Sequence, residues 1–373
     1  MRRLSFLALR GRAERGGNYD EGRLLKILHV VRRYGPVGGM ERYVWELTQE
    51  LAALGHQVVV ICERCHANKP RGISVHELGE IAPRPRWLSL LRFGRRVANW
   101  LELNPHPGFV IHSNERLGAH DVTTFHGPPF ATVRSKPFWK RLSLRVAMQF
   151  YLERRELSVA RYIVPNSFVI QRQLAHYYPE FAHKLTAPIV PGVAAIPVTE
   201  WKRAPADGGI IGFVGKEWQR KGLPLAVEIV AQLRRERPNL ELWVIGPQPR
   251  EVQQLFAAWQ GGYRLLGWRG DTTHLQQIDV LLHPARAEPY GMVITEAMAA
   301  QASVVVSDVC GAAAQVTAAS GAVVPLGAPL QQWLDAVRSQ LQRDVAPPSY
   351  ARSWREVAQE YEVLYRAAGS PGS

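Results

Sequence analysis

The segment from Asp279 to Ala300 limits the folds open to this chain more than any other stretch. Asp279-Val-Leu-Leu-His283 has the unbroken apolar pattern of a buried strand. Pro284–Gly291 is a turn, with Pro289 and Gly291 close together, and Met292–Ala300 is a helical run. A strand that ends in a glycine turn opening a helix makes an anion site, because the first amides of the helix point outward and its dipole favours negative charge there. Glu288 lies in the turn and Glu296 in the helix. Two carboxylates beside an anion site are costly unless the ligand also brings hydroxyl donors. A nucleotide sugar does so, with a diphosphate for the amides and sugar and ribose hydroxyls for the carboxylates.

The same strand-then-helix alternation runs through the chain in two rounds. The first expects strands at Lys26–Val31, Gln57–Cys62, Phe109–Ser113, Val122–His126, Tyr162–Pro165 and Leu185–Val190, and a helix over Met40–Leu54 after the Gly38-Gly39 turn. Pro191–Gly209, rich in Pro, Ala and Gly, reads as a linker. The second round opens at Ile210–Gly215, continues with a helix at Leu223–Arg235 and a strand at Leu240–Gly246, and repeats to Val324. Alternation of this kind predicts parallel sheets covered on both faces. The expectation is an α/β chain of two Rossmann-like, doubly wound domains with a cleft between them, receiving loops from the carboxyl ends of both sheets. The boundaries expected are a basic tail over 1–23, a first domain over 24–195, a second over 196–350, and a last segment over 351–373.

Arg220-Lys221-Gly222 follows a strand and loop at the expected start of a helix. Two adjacent cations oppose the dipole there, which makes sense if both reach a diphosphate. A solvated turn is the plainer alternative for these two, as an exposed position is for Glu288 or Glu296 taken singly; the EPYGMVITEA context favours the functional reading. Gly38-Gly39 lets backbone approach a ligand, although glycine in such turns also serves close packing. Gly35, Gly38 and Gly39 lack the dinucleotide-binding spacing, which disfavours a nicotinamide dehydrogenase. His126 ends a strand at the carboxyl edge of a sheet, whereas His283 and Asp279 read as structural.

The Glu288–Glu296 spacing resembles the Glu-x7-Glu motif of retaining glycosyltransferases of the GT-B fold, the large family 4 or group 1 type that includes glycogen synthases and lipopolysaccharide-core enzymes. Gly38-Gly39-Met40-Glu41, Phe125-His126-Gly127, Val164-Pro165-Asn166-Ser167 and Arg220-Lys221-Gly222 fall where that family has its landmarks. The resemblance runs from about Lys26 to about Tyr365. It implies that Glu288 contacts the transferred sugar and Glu296 the ribose. It places Tyr290, Gly291 and the amides near Met292 and Val293 on the donor, with Gly38, Gly39, Arg220 and Lys221, and makes His126, Glu288, Arg220 and Lys221 the catalytic set. It also implies an acceptor-binding first domain, a donor-binding second domain, a last helix (Ser353–Tyr365) that returns to the first, and transfer with retention by a same-face route. The chain has no Asp-x-Asp, so no metal and no cofactor is expected; Arg220, Lys221 and the helix after Gly291 would neutralise the leaving diphosphate.

Composition fits this frame. The chain has 373 residues, enough for two cores, with a hydrophobic share of 46%. It has no apolar run long enough to span a bilayer. The opening MRRLSFLALR has too short an apolar stretch and no cleavage site for a signal peptide, so residues 1–23 read as a basic tail. Cys62, Cys65 and Cys310 suit a reducing compartment, and the lone Cys62-x2-Cys65 pair lacks the partners of a zinc site.

The net charge of +14 sets the remaining expectations. Arg84, Arg86, Arg92, Arg95 and Arg96 cluster with Trp87, Leu88, Leu91 and Trp100. Arg134, Lys136, Lys140, Arg141 and Arg145 cluster with Phe138 and Trp139. Solvated helix faces are the plainer account, but a basic and aromatic surface suits anionic lipid. With the resemblance, this points to a cytoplasmic enzyme peripheral on the inner face of the membrane. It would move a hexose, glucose favoured, from a UDP-sugar to an anionic lipid-linked oligosaccharide of lipopolysaccharide core. The alternatives are a nucleotide-sugar epimerase of the same fold, a transferase acting on a soluble or exopolysaccharide acceptor, and a basic nucleic-acid binder; no specific nucleic acid is expected as a partner.

Overall fold

A computed structural model describes residues 24–369 except 136, 138, 140, 141, 198 and 199. The expected tail, and Lys136, Phe138, Lys140 and Arg141 of the second basic cluster, lie outside the described residues. The chain divides into two compact units. One runs to Gly192 and takes in Trp354 onwards; the other is Val193–Ser353.

The first unit holds a parallel sheet of β1 (Lys26–Val30), β2 (Gln57–Cys62), β3 (Ile73–Glu77), β4 (Val110–Ser113), β5 (Val122–Phe125) and β6 (Tyr162–Pro165). Its order is β3-β2-β1-β4-β5-β6. Around it lie α1 (Gly39–Ala53), α2 (Arg86–Leu103), α3 (Leu144–Val159) and α4 (Phe168–Tyr177). The strands are apolar because both faces are covered: Leu28, Val30, Val59 and Ile61 pack on Phe93 and Val97 of α2. The second unit repeats the plan with β7 (Gly208–Val214), β8 (Asn239–Ile245), β9 (Tyr263–Gly267), β10 (Val280–His283), β11 (Ser303–Ser307) and β12 (Gly321–Val324). Its order is β9-β8-β7-β10-β11-β12. The core joins Ile211, Phe213, Leu242, Val244 and Leu282 to α5 (Leu223–Leu233) and to Trp333 and Val337 of α7 (Leu330–Leu341); α6 is Met292–Ala299. Both sheets are doubly wound, as the alternation predicts.

One expected strand does not form. Leu185–Val190 makes only an isolated bridge, Ile163 with Leu185, and two further bonds to β6, Thr186 N–H to Ile163 at 3.0 Å and Ile189 N–H to Pro165 at 3.1 Å. Pro188 has no N–H to give, so the ladder cannot continue. The strand Ile73–Glu77 was not foreseen; only Ile73 is buried in it, so its apolar signal is faint.

The last helix, α8 (Trp354–Gly369), belongs to the first unit. Its buried stripe of Val357, Tyr361, Leu364, Tyr365 and Ala368 has helical spacing. A buried polar chain ties it to the sheet. The Tyr365 hydroxyl lies 2.7 Å from His112 Nδ1 and 3.2 Å from His29 Nε2. Thr124 Oγ1 lies 2.8 Å from both His112 Nε2 and the Tyr361 hydroxyl, which accepts from the Tyr43 hydroxyl at 3.0 Å. His29 and His112 sit side by side on adjacent strands with rings 4.6 Å apart. Burial pushes the His29 imidazole down to about 3 and holds His112 well below its ordinary range. Both are therefore neutral in the folded protein at neutral pH.

The sign follows. A histidine with a depressed folded pKa favours folding above its unfolded value, and that contribution is lost as pH falls. Lowering the pH from about 7.5 to about 5 should destabilise the chain by about 2 kcal/mol for a fully buried histidine such as His29. Urea midpoints at the two pH values check this; an unmoved midpoint would mean that these histidines become protonated without unfolding.

Candidate functional site

In the second unit β7 and β10 are neighbours, while the chain leaves them toward opposite edges of the sheet. Loops from their carboxyl ends therefore part and leave a crevice, the usual ligand position in a doubly wound sheet. The β7 loop carries Arg220 and Lys221; the β10 loop carries Glu288.

The loops are bonded to each other. Arg286 N–H donates to the Arg220 carbonyl at 2.8 Å, and the Arg220 guanidinium donates to the Ala287 carbonyl. Gly222 caps α5 in the left-handed region, φ 84°, and a Cβ there would strike the Pro284 carbonyl. Arg220 and Lys221 thus stand just before the helix, which begins at Leu223 as expected. Both side chains reach Glu288: Lys221 Nζ lies 3.1 Å and Arg220 Nη1 3.4 Å from Glu288 Oε2, and Arg220 Nη2 also lies 2.5 Å from Glu217 Oε2. His283 Nε2 is 3.4 Å from the same oxygen.

Glu288 is buried, with 8% of its surface exposed. Burial alone would push its carboxyl up; the His283 hydrogen bond and the charges of Lys221 and Arg220 outweigh it and hold the group well below the usual carboxylate range. Burial holds His283 below its ordinary value against the pull of Glu288, so the neutral ring donates from Nε2 and leaves Nδ1 buried without a partner. His283, read from sequence as structural, is part of the charged cluster. Asp279 does orient the strand, accepting from Ile210 N–H at 2.6 Å.

Gly291, φ 92°, caps α6 in the left-handed region that favours glycine. The first bond within the helix is Ile294 N–H to Gly291 at 2.9 Å, so the amides of Met292 and Val293 precede the helical ladder. Glu296 lies buried on α6. The turn is pinned from β11: Gly311 N–H donates to Glu288 O at 3.0 Å and Ala312 N–H to Tyr290 O at 2.8 Å. The Tyr290 ring is 3% exposed and packs inward toward Tyr350 and Thr295, so its side chain supports the turn from behind.

The other candidates lie in the first unit. His126 follows β5, its Nε2 2.9 Å from Asn114 Oδ1 and its ring edge-on to Tyr43 at 4.8 Å. Burial pushes it down to about 3, so it is neutral. Gly38 caps α1, where a Cβ would run into the Glu41 carboxylate; Gly39 has open space. Glycine at 38 thus makes room for Glu41, which pairs with Arg33. His126 also borders a cavity of about 690 Å³ that sequence reasoning missed, lined by Arg32, Arg86, Asn114 and Glu115 among others. Its sequence signal is faint, since Asn114-Glu115 directly after Ser113 reads as an ordinary strand end. Among the described residues no three His, Cys, Asp or Glu side chains gather as a metal site, and no helix is long and apolar enough to cross a membrane.

These two doubly wound units define the class of the chain, a GT-B protein. The Glycosyltransferase Family 4 model matches residues 37–193 and the Glycosyl transferases group 1 model residues 208–343. The chain belongs to these glycosyltransferases. It is similar to the lipopolysaccharide glucosyltransferase WaaG of Escherichia coli K12, 24% identical over 88% of this chain and 92% of the relative. It is also similar to a phosphatidyl-myo-inositol mannosyltransferase of Mycolicibacterium smegmatis, 25% identical over 73% and 72% of the two chains. The crystal structure of WaaG superposes with a TM-score of 0.73 at 22% identity, over 92% of this chain and 98% of that one. Anabaena HepE in complex with UDP and glucose superposes with a TM-score of 0.67 at 17% identity, over 92% and 98%.

Removing Glu288 leaves Lys221 without its carboxylate in a partly buried crevice, while Arg220 keeps its pair with Glu217 at 2.5 Å. Glu288→Ala should lower stability by about 1–3 kcal/mol, and Glu288→Gln, which keeps a hydrogen-bond acceptor, by less. Denaturant titration of the ligand-free variants reads this; equal stability to wild type would show that the ion pairs hold nothing in place.

Proposed function

We propose that this glycosyltransferase moves a hexose, glucose favoured, from a UDP-sugar to a hydroxyl on an anionic lipid-linked oligosaccharide, with retention and without a metal. The observation that carries the donor half is the meeting of Arg220, Lys221 and Glu288 at the parting of β7 and β10, beside the α6 amides. In the free protein Glu288 holds the cations in place. When donor enters, the diphosphate takes over Arg220, Lys221 and the amides of Met292 and Val293, and Glu288 is released to accept from hydroxyls of the transferred sugar. Glu296 takes the ribose hydroxyls. The anomeric C–O bond to the diphosphate breaks, the bond to the acceptor oxygen forms on the same face, and the acceptor proton passes to the leaving phosphate oxygen. The protein's part is positional and electrostatic: cations on the leaving group, carboxylates fixing the sugar. HepE, a fold relative, binds UDP and glucose, which supports a donor of this kind.

On this reading the second unit, residues 196–350 in the sequence division, takes the donor. The first, 24–195, takes the acceptor and brings His126, Gly38 and Gly39 to the reaction, with 351–373 completing it. The similarity to WaaG supports a lipopolysaccharide-core acceptor. A cytoplasmic enzyme on the inner membrane face suits the surface of the first unit. Leu142, Leu144 and Tyr151 are exposed beside Arg145, and Arg92 and Arg95 are exposed on α2, which contacts α3. The apolar part of the first basic cluster is narrower than its sequence suggests, since Trp100 is partly buried against the core and packs on His76 and His106.

With UDP-glucose as donor, Lys221→Ala should weaken UDP binding in calorimetry by about 1.5–3 kcal/mol, the worth of a charge-assisted contact. Glu288→Gln should lower turnover and Glu296→Gln donor affinity, and activity should survive EDTA. UDP released without any acceptor, or unchanged affinity in Lys221→Ala, contradicts the reading; the first outcome would instead fit an epimerase or hydrolase.

The chain should co-sediment with vesicles containing anionic lipid and lose that association as salt rises, since each cation near the headgroups contributes about 1 kcal/mol. No binding at low salt, with efficient transfer to a small neutral acceptor, would remove the membrane from the account.

A further inference from the structure

His283 closes β10 with a side chain that has no exposed surface. Its ring stacks on Phe213 of the neighbouring strand β7, 17° from parallel at 6.5 Å. Nε2 lies 3.4 Å from Oε2 of Glu288, which stands further along the same loop. Nδ1 is buried with no hydrogen-bond partner, so the neutral ring carries its proton on Nε2 and donates there. The unmet Nδ1 lone pair is a cost that an apolar side chain would not carry, and it calls for a role. The loop between ring and carboxylate is clamped from β11. Ser307 Oγ donates to the Ala285 carbonyl at 2.6 Å, and Gly311 N–H to the Glu288 carbonyl at 3.0 Å. Backbone geometry therefore sets the reach from imidazole to carboxylate.

Three donors share Glu288 Oε2, and they differ in freedom. Lys221 and Arg220 come on long side chains from the loop after β7, 16% and 35% exposed. Arg220 also pairs with Glu217 and donates to the Ala287 carbonyl. Both cations can turn to a diphosphate by side-chain rotation alone. The imidazole cannot turn away: it is fully buried and stacked on one face, and Glu288 is its side-chain partner among the described residues. A buried carboxylate that gives up both cations needs a donor that stays.

We propose that His283 is a positioning residue for the transferred sugar: it keeps its hold on Glu288 when the donor diphosphate takes Lys221 and Arg220, and so aims the carboxylate at the sugar hydroxyls. His283 touches neither the donor nor the reacting atoms and acts only through Glu288. The proposal rests on the reading of Glu288 as the contact to the transferred sugar, and it adds the residue that fixes where that contact is made. Reach is decisive. The amide nitrogen of a glutamine at this position extends to the place of the imidazole Nε2, whereas that of an asparagine extends only to the place of Nδ1.

Saturation-transfer NMR on the full chain, with UDP-glucose and no acceptor, tests it. The readout is the ratio of glucose-ring signals to uridine signals within the one ligand, which reports how closely the sugar is held rather than how tightly the nucleotide binds. His283→Asn should lower that ratio several-fold, toward the value of Glu288→Gln, while UDP affinity in calorimetry stays at the wild-type value. His283→Gln, which returns a donor at the right reach, should bring the ratio back to near wild type. Thermal melting confirms that each variant is folded. A wild-type ratio in His283→Asn beside a lowered one in Glu288→Gln overturns the proposal and leaves the sugar contact of Glu288 standing. A wild-type ratio in Glu288→Gln overturns that contact and the proposal with it. Loss of UDP binding in His283→Asn and His283→Gln alike would assign the ring to the packing of the crevice, and that too overturns the proposal.

Discussion

Each sheet in this chain reverses its direction of growth once, between its first and fourth strands, and the chemistry follows from that reversal. The loops leaving β7 and β10 part and cannot cover the sheet edge between them, nor can those leaving β1 and β4. Backbone amides, short loops and charged side chains collect there because no helix crosses the gap. The right-handed crossover of parallel strands leaves little choice in the matter. In the second unit the gap receives Arg220, Lys221 and Glu288; in the first it receives Arg32, Asn114 and Glu115.

A buried carboxylate is tolerated only when its charge is met. Glu288 is met three times, by Lys221, Arg220 and the neutral His283. This arrangement joins two loops that are far apart in sequence, and Gly222 and Gly291 let their backbones come close enough for it. The same ion pairs that hold the empty site together are well placed to be exchanged for a diphosphate. An ion pair in a partly dry crevice contributes little net stability, because desolvation offsets the attraction. Exchange of partners is therefore cheap, which is what a binding site requires.

Much of this was legible in the sequence, and for a physical reason. Strands buried on both faces are written as unbroken apolar runs, so β7 and β10 declare themselves. Glycines that must take positive φ stand at fixed offsets from the helices they cap, so Gly222 and Gly291 mark their turns. Other features left no such trace. Ile73–Glu77 is an edge strand and largely exposed, so its pattern is weak. Leu185–Val190 has a strand's composition, and only the missing N–H of Pro188 tells against it. Arg220 and Lys221 were placed correctly beside a turn, but their pairing with Glu288 is a long-range contact that adjacency in sequence cannot show. His29 and His112 look like anomalies in apolar strands until Tyr365 arrives from the end of the chain to bond both. Asn114 drew no notice because an asparagine after a strand is ordinary; its orphaned amide becomes visible only in three dimensions.

The central claim is that the parting of β7 and β10 is where a nucleotide sugar sits. Hydrogen–deuterium exchange on the full chain, with and without UDP, tests it most directly, because it reports where the ligand protects backbone amides. The account predicts slowed exchange in peptides covering 215–223 and 284–296, and little change at 110–116. Protection confined to the first unit, or absent from 284–296 at a UDP concentration that saturates the chain, would contradict it.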